Sequence, residues 1–347
     1  MHIVRLAAAA QRTRRANLAS VTLTSRTMMR WLLAAMLMGG GTALTARQAV
    51  SRFPSLSIPA SADRGGPIRI RITVPAGQKR LPVILFSHGA GYSGDDYRAL
   101  ADYWAAHGFV VIQPTHLDAR VLKLAADDPR LPRVWRFRRD DMVAILDHLG
   151  EIAAQAPALA GRIDPHRVVA IGHSYGGHTS ELLLGATARD PASGARDALD
   201  DPRILGGVLL SAPGGWDGVS DDWRRKGPFL DVDWSTMRRP TLVMTGDLDD
   251  SPISKRGPVW HEDPYLRAPA GATCLVALAR VGHFLGGIGH DGPPASNDPR
   301  DRASVSLVQM ATLAWARRVV HAANNRGWAA ARAQLERSDR VSKLRCR

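Results

Sequence analysis

Residues 168–177 have the sequence Val-Val-Ala-Ile-Gly-His-Ser-Tyr-Gly-Gly, an apolar run that ends in a turn of small residues around a serine. Four successive apolar residues are typical of a strand buried on both faces of a sheet. Gly172 and Gly176 flank Ser174, and such a turn needs glycines because its backbone is strained and side chains there would collide with neighbouring chain. The pattern predicts a strand, a sharp turn that lifts the Ser174 hydroxyl clear of the sheet, and a helix over 177–184.

Strand-like and helix-like patterns alternate on both sides of this turn. The predicted strands lie at 67–74, Leu81–Ser87, Phe109–Gln113, Arg167–Ile171, Leu205–Leu210, Thr241–Thr245 and Leu275–Val281. Apolar residues at helical spacing predict helices around 97–104, 142–149 and 307–320. This alternation predicts an α/β fold with a mostly parallel, doubly wound sheet and helices on both faces.

Two later strands are each followed by a residue that a serine nucleophile needs. A serine hydroxyl becomes reactive when a base removes its proton and a carboxylate orients that base. Asp249 follows the strand at 241–245, and His283 follows the strand at 275–281. We therefore predict that Ser174, Asp249 and His283 are catalytic residues that meet at one edge of the sheet.

Both the acid and the base have competitors nearby. Asp247 and Asp250 flank Asp249, and the usual Gly-x-x-Asp spacing from the preceding glycine favours Asp249, while Asp250 stays open. His290 also follows the last strand. The Gly-His-Phe context directly after that strand favours His283.

A glycine-rich stretch follows an earlier strand. Residues 87–91 have the sequence Ser-His-Gly-Ala-Gly. Small residues let backbone N–H groups approach a developing negative charge, and the loss of one such donor typically costs about 100- to 1,000-fold in rate. We predict that the N–H groups of Ala90 and Tyr175 form an oxyanion hole and that Gly89 and Gly91 contact the substrate.

Four motifs occur in a fixed order along the chain: Phe86-Ser-His-Gly-Ala-Gly91, Gly172-His-Ser-Tyr-Gly-Gly177, Gly246-Asp-Leu-Asp249 and Gly282-His283. With these motifs, the chain from about residue 65 to 320 resembles the α/β-hydrolase superfamily. The segment from Trp135 to Asp164 resembles its predicted dienelactone-hydrolase-like branch, which is related to platelet-activating-factor acetylhydrolases and secreted polyester hydrolases. The resemblance implies an α/β-hydrolase fold and cleavage of carboxylic esters through an acyl-enzyme.

The interval from 214 to 239 interrupts the alternation with glycines, aspartates and three tryptophans. It follows the carboxyl end of a strand, where open α/β sheets bind ligands. We expect a loop or short cap insertion over the site, with Trp216 in contact with the substrate. The alternative, in which Trp216, Trp223 and Trp234 only pack the loop and do not contact the substrate, stays equally open.

The net charge of +14 is concentrated at the ends of the 347-residue chain. Residues 1–46 hold six arginines and no acidic residue, and residues 322–347 hold seven basic and two acidic residues, so the rest is only mildly basic. No basic stripe interleaved with aromatic residues accompanies this charge, so we expect no nucleic-acid partner. We expect a signal-type segment at 1–46, an α/β-hydrolase catalytic domain at 50–321 and a basic tail at 322–347.

The first 46 residues have the pattern of an export signal. Arg30 precedes the apolar run 31–38, which ends in glycines and other small residues and is too short to span a bilayer comfortably. We expect export to the periplasm or the outside of the cell. A start at Met28 and an uncleaved segment that anchors the chain in the membrane both stay open. The basic tail is a candidate for peripheral contact with an anionic membrane.

The cysteines and the acidic clusters indicate no metal. Cys274 and Cys346 belong to no Cys-x-x-Cys or Cys/His cluster. The acidic run at 247–250 lacks a glycine-centred twelve-residue calcium loop. We expect no metal, no cofactor and two free thiols, with a single disulfide left open.

Taken with the motifs, these features predict a monomeric serine hydrolase that cleaves a small-molecule, lipid or polymeric ester. Two alternatives stay open. The first is an amidase or peptidase on the same fold, because ester and amide cleavage use the same triad. The second is a catalytically silent binding protein of the α/β-hydrolase type.

Overall fold

The computed structural model describes residues 49–77, 79–289, 299–321 and 325–347. The strands of these residues are β1 (Val50–Ile58), β2 (Ile68–Pro75), β3 (Leu81–Ser87), β4 (Val110–Thr115), β5 (Ile163–His173), β6 (Thr187–Arg189), β7 (Arg196–Ala198), β8 (Ile204–Leu210), β9 (Val232–Asp233), β10 (Thr241–Gly246), β11 (Thr273–Leu278) and β12 (Val341–Cys346). The helices are α1 (Arg98–Ala106), α2 (Val134–Asp147), α3 (Leu149–Gln155), α4 (Tyr175–Leu184), α5 (Asp221–Lys226), α6 (Asp263–Arg267), α7 (Pro299–Val320) and α8 (Arg326–Glu336). The predicted signal-type segment at 1–46, with its Met28 alternative, and His290 lie outside the described residues.

Nine of the described strands form one mixed sheet in the order β1-β2-β4-β3-β5-β8-β10-β11-β12. From β4 to β11 all neighbours are parallel, whereas β1, β2 and β12 run antiparallel to the strands beside them. This architecture confirms the predicted fold class. Because the central strands all point the same way, the residues that follow them collect at one edge of the sheet.

Side chains on the two faces of the sheet form two apolar layers, because successive strand residues point to opposite faces. In β3, Val83 and Leu85 join the layer that α2, α3 and α4 cover. Ile84 and Phe86 join the layer that α1, α7 and α8 cover. Burial on both faces explains why the central strands are continuous apolar runs. Within the described ranges, no helix has the length and apolar character needed to cross a membrane.

The interval 214–239 contains regular structure as well as loops. It includes a 3-10 turn at Trp216–Gly218, helix α5, a second 3-10 turn at Pro228–Leu230 and strand β9. Strand β9 pairs with β6 of the β6-β7 hairpin, and the three strands form a separate small sheet. The short insertion predicted from the sequence is present, and a hairpin that the sequence did not indicate adds to it.

The described residues 325–347 are not a separate basic tail, so the predicted domain end at 321 is wrong. The compact unit that contains the sheet continues to Arg347. Helix α8 buries Trp328 against Trp315 of α7, with ring centroids 4.8 Å apart. Strand β12 adds to the sheet beside β11. Helix α8 is hard to recognise in the sequence, because only every third or fourth of its residues is buried and exposed basic residues lie between them.

A disulfide joins Cys274 of β11 to Cys346 of β12. The expectation of two free thiols is therefore wrong. Antiparallel pairing of β11 and β12 places the two cysteines directly opposite each other. The two cysteines are 72 residues apart in the sequence, so no local pattern indicates that they pair.

Replacement of both cysteines by serine is expected to lower the free energy of unfolding by roughly 4 kcal/mol, because a long cross-linked loop restricts the unfolded chain. Chemical denaturation of the oxidised wild type and of the Cys274→Ser/Cys346→Ser protein measures the difference. Reductant serves as the matched control, since it should bring the wild type to the stability of the variant and leave the variant unchanged. A wild type that is insensitive to reductant would contradict the prediction.

Candidate active site

Ser174 occupies the sharp turn between β5 and α4. Its φ of 54° and ψ of −120° are strained for a residue with a side chain. A Cβ on Gly172 would lie 1.9 Å from the carbonyl oxygen of Gly176, and a Cβ on Gly176 would lie 2.0 Å from the carbonyl oxygen of Ser87. These approaches explain the two glycines. The turn leaves Ser174 half-buried at the carboxyl edge of the sheet.

Asp249 follows β10 and His283 follows β11, so both lie at the sheet edge that carries Ser174. Each oxygen of the Asp249 carboxylate lies 3.0 Å from Nδ1 of His283. Burial opposes ionisation of Asp249, but the nearby nitrogens of His261 and His283 outweigh burial and hold its pKa well below the usual range. The carboxylate that orients the imidazole is therefore charged.

The competing acids face elsewhere. Asp247 is exposed, and its carboxylate accepts the backbone N–H of Arg280 at 2.6 Å. Asp250 is exposed to solvent. In the part of the chain that the structure describes, Asp249 is the member of this acidic run that contacts His283.

Hydrogen bonds through His173 connect the glycine-rich loop, the serine turn and the His283 loop. The N–H of Gly89 donates to Tyr97 Oη at 3.2 Å, and Tyr97 Oη lies 2.8 Å from Nδ1 of His173. Burial, followed by the nearby His283, lowers the pKa of His173 to about 3. Nδ1 of this neutral imidazole accepts a hydrogen bond from the Tyr97 hydroxyl, and Nε2 donates to the carbonyl oxygen of His283 at 2.8 Å. His173 thus positions the His283 backbone beside Ser174.

The predicted oxyanion residues lie on two different segments, the glycine-rich loop and the turn that contains Ser174. Gly89 lies beside that turn, at a position where a Cβ would be 3.6 Å from Cβ of Ser174, an ordinary contact distance. Ala90 follows and is exposed, and Tyr175 is the first residue of α4. Neither amide donates a hydrogen bond among the described residues. N–H groups in the first turn of a helix have no partner within the helix, so Tyr175 can bind a ligand oxygen.

Arg138 of α2 contacts both segments, and no motif in the sequence marks it. Its buried guanidinium donates to the carbonyl oxygen of His88 and, at 2.6 Å, to Asp118. The guanidinium carbon lies 4.5 Å from the centre of the Tyr175 ring. Asp118 also accepts the N–H of Gly91 at 3.3 Å. The ion pair between the buried Arg138 and the part-buried Asp118 therefore anchors the glycine-rich loop, and Arg138 contacts the first residue of α4.

A second serine, histidine and aspartate lie beneath the glycine-rich loop. Ser87 Oγ lies 2.9 Å from Nε2 of His116, and Nδ1 of His116 lies 2.9 Å from Asp141. Arg64 donates to Asp141 at 2.6 Å, yet burial outweighs its charge and raises the Asp141 pKa to about 7. Ser87 has no exposed surface. Its hydroxyl cannot meet a substrate, so this group supports the loop.

His261 is a second imidazole beside Asp249, and no motif in the sequence marks it. Its Nε2 lies 3.3 Å from Oδ1 of Asp249. Among the described residues, Asp249, His261 and His283 form the one group of histidine, cysteine or acidic side chains whose donor atoms all lie within 4.8 Å of one another. Contacts between the carboxylate and the two rings account for this group, and we assign no metal or cofactor to it.

The cap places an aromatic ring at the serine turn, although it is not the predicted one. Phe229 stacks on Tyr175 with ring centroids 5.2 Å apart. Trp216 packs into the apolar cluster of the cap around Trp260, and the Arg224 guanidinium lies 5.1 Å from its ring. Packing accounts for these contacts of Trp216, and its contact with substrate stays a prediction.

The chain matches the family model described as chlorophyllase over residues 48–189. This span includes the glycine-rich loop and Ser174 and ends before Asp249 and His283. No curated protein matches the chain. The family match indicates an ester hydrolase and confirms the resemblance carried by the sequence motifs. With this match, its mixed sheet and its serine turn at the carboxyl edge of that sheet, the chain has the α/β-hydrolase fold.

Proposed function

We propose that this protein is a serine hydrolase that cleaves carboxylic esters through an acyl-enzyme. The contact of 3.0 Å between Asp249 and His283, at the sheet edge that presents Ser174, carries the proposal. The chlorophyllase match supports an ester as the bond that is cleaved. Ser174 is the proposed nucleophile, His283 the general base and Asp249 the acid that orients it.

In the first half of the reaction, Ser174 Oγ attacks the ester carbonyl carbon while its proton passes to Nε2 of His283. Asp249 accepts a hydrogen bond from Nδ1, which leaves Nε2 to take the proton. The carbonyl oxygen becomes negatively charged and binds the N–H groups of Ala90 and Tyr175. His283 then protonates the alcohol oxygen, the C–O bond breaks, and the acyl group stays on Ser174.

Water completes the cycle. His283 removes a proton from a water molecule that attacks the acyl carbon, and the same two amides bind the second oxyanion. The proton returns to Ser174 Oγ as the carboxylic acid leaves. Each proton moves between substrate, water and protein, so the proposed reaction uses no cofactor.

The proposed substrate is a small-molecule, lipid or polymeric ester, and the proposed enzyme is a monomer. Chlorophyll belongs in the first substrate panel because the matching family is described as chlorophyllase. Export is also a proposal. It rests on the signal-type pattern of residues 1–46, and the disulfide between Cys274 and Cys346 supports an oxidising compartment.

Replacement of the nucleophile, Ser174→Ala, is expected to lower kcat for ester hydrolysis by at least about 1,000-fold. It should also abolish covalent labelling by a fluorophosphonate probe, because both reactions need Oγ. The assay uses p-nitrophenyl esters of several chain lengths, chlorophyll and a peptide p-nitroanilide. Ser193→Ala, in the exposed β6-β7 hairpin, is the matched control and should keep wild-type labelling.

The same assay separates the alternatives. A folded Ser174→Ala protein that cleaves esters at the wild-type rate would contradict the assignment. Labelled wild type that prefers the anilide to the esters would favour an amidase or peptidase. Folded wild type that takes up no probe would favour a silent binding protein.

A pair of neighbouring substitutions tests the acid. Asp249→Asn is expected to lower kcat by about 1,000-fold or more, because the amide lets His283 adopt the wrong tautomer. Asp250→Asn should change kcat by less than about threefold, since the Asp250 side chain faces solvent. Steady-state kinetics of the two purified proteins at one pH measures both effects. The opposite order of losses would move the role of the acid to Asp250.

Substitution of Arg138 tests the support of the oxyanion hole. Arg138→Met leaves the part-buried Asp118 without its cationic partner and releases the carbonyl of His88, so the glycine-rich loop is expected to shift. We expect kcat to fall by about 100-fold, the effect typical of one lost oxyanion donor, with a smaller change in KM. Arg139→Met, on the next residue of α2, is the matched control. Equal kcat values in the two folded variants would contradict this role.

A further inference from the structure

Arg120 lies in the loop that follows β4 (residues 116–133), at the sheet edge that carries Ser174. Its backbone N–H donates to the carbonyl oxygen of Gly91 at 3.1 Å. Its side chain is exposed, and the proposed mechanism does not use it. A charged side chain at this edge can bind the part of an ester that extends beyond the scissile bond.

Two further contacts place the Arg120 side chain beside the glycine-rich loop. A Cβ on Gly91 would lie 2.9 Å from Nε of Arg120 and 3.1 Å from its guanidinium carbon, so this side chain fills the space that glycine leaves. The guanidinium carbon also lies 5.8 Å from the centre of the Tyr92 ring. The positive charge is therefore positioned one residue away from Ala90, a proposed oxyanion donor.

Aromatic rings connect this position with the proposed base. The ring centroids of Tyr92 and Phe284 lie 5.7 Å apart, and those of Phe284 and His283 lie 5.5 Å apart. A series of side-chain contacts therefore extends from Arg120 to His283. Arg120 belongs to the surroundings of the proposed ester site and not to a remote part of the surface.

The acidic side chains in the loops after β3 and β4 do not neutralise Arg120. Four of them bind other groups: Asp95 binds Arg71, Asp96 binds Ser93, Asp118 binds Arg138 and Asp128 binds Arg130. Asp127 is exposed and forms no ion pair with Arg120. Within the described ranges, Arg120 has no acidic partner, and its guanidinium donates no hydrogen bond.

We propose that Arg120 is a specificity-determining residue that binds a carboxylate of the substrate, so that the preferred substrates are esters with a second, ionised carboxyl group. This proposal rests on the proposed function, because it places the ester at Ser174. A guanidinium presents two parallel N–H groups to the two oxygens of a carboxylate. A single cation without an acidic partner matches one negative charge, which favours a carboxylate over a phosphate with nearly two.

The first experiment compares matched charged and neutral esters. The p-nitrophenyl half-esters of glutaric, adipic and pimelic acid carry the carboxylate in the acyl part, and butyrate esters of short ω-hydroxy acids carry it in the alcohol part. Each is paired with its neutral carboxamide. We expect the wild type to have the higher kcat/KM for the charged member in one of the two series. This preference should decrease at high ionic strength, because salt screens an exposed ion pair.

Three variants test whether Arg120 causes this preference. Arg120→Gln is expected to lower the ratio of kcat/KM for charged to neutral ester by about tenfold, mainly through KM, because the contact is already made in the bound ground state. Arg120→Lys keeps the charge and should keep part of the ratio. Arg345→Gln, at an exposed arginine of β12, is the matched control and should keep all of it.

The ratio separates recognition from support of the loop. Loss of packing on Gly91 would lower kcat/KM for charged and neutral esters alike. An unchanged ratio in active Arg120→Gln protein would therefore overturn the proposal. Wild type that cleaves neutral esters as well as charged ones in both series would also overturn it and would leave the proposed function intact.

The second experiment measures binding and does not depend on turnover. Monomethyl adipate and neutral dimethyl adipate are titrated into ¹⁵N-labelled Ser174→Ala protein, and NMR follows the amides of the glycine-rich loop. We expect the charged ester to bind more tightly, and Arg120→Gln in the same background to weaken its binding by about tenfold. Equal binding in the two proteins, or no saturable binding, would overturn the proposal. If the wild type cleaves no ester, the proposed function fails while this titration still decides whether Arg120 binds a carboxylate.

Discussion

The close approach of backbone segments at the serine turn constrains the rest of the structure. β3 and β5 pair side by side, and the first turn of α4 packs on the carbonyl group of Ser87 so tightly that Gly176 has no room for a Cβ. The N–H of Ser174 donates to the carbonyl oxygen of Leu210 at 2.8 Å, which ties the turn to β8. Backbone contacts with both neighbouring strands therefore set the position of Ser174, and its strained φ persists because these contacts determine it.

The glycine-rich loop needs a different kind of support, because glycines offer no side chain to pack. Buried polar groups supply it: Arg138 binds the His88 carbonyl, Asp118 binds the Gly91 amide, and the N–H of His116 donates to the His88 ring at 3.0 Å. Burial of charge costs desolvation energy, and such pairs add little stability compared with apolar packing. Here each charge also binds a backbone group, so the network determines where the loop amides point.

The sequence predicts the central strands and the three candidate residues at their ends because both follow from local patterns. A strand covered on both faces must be a continuous apolar run, and Ser174, Asp249 and His283 stand in short motifs directly after such runs. Strand β12 was not predicted because it is a half-exposed edge strand, and its partner β11 lies far away in the sequence.

Arg138 and His261 were not predicted for the same physical reason. Their partners come from separate elements, so no spacing in the sequence marks them.

Residue type alone does not separate the group of side chains proposed to react, Ser174, His283 and Asp249, from the group that supports the glycine-rich loop. Among the described residues, Ser87, His116 and Asp141 form a continuous hydrogen-bonded series, yet the His116 side chain is 0% exposed while that of His283 is 32% exposed. Burial raises the Asp141 pKa to about 7, whereas two imidazoles keep Asp249 charged. A base that must receive a proton during the reaction needs both access to substrate and a charged partner to stabilise it. The group at the open edge of the sheet meets both conditions, and the group beneath the loop meets neither.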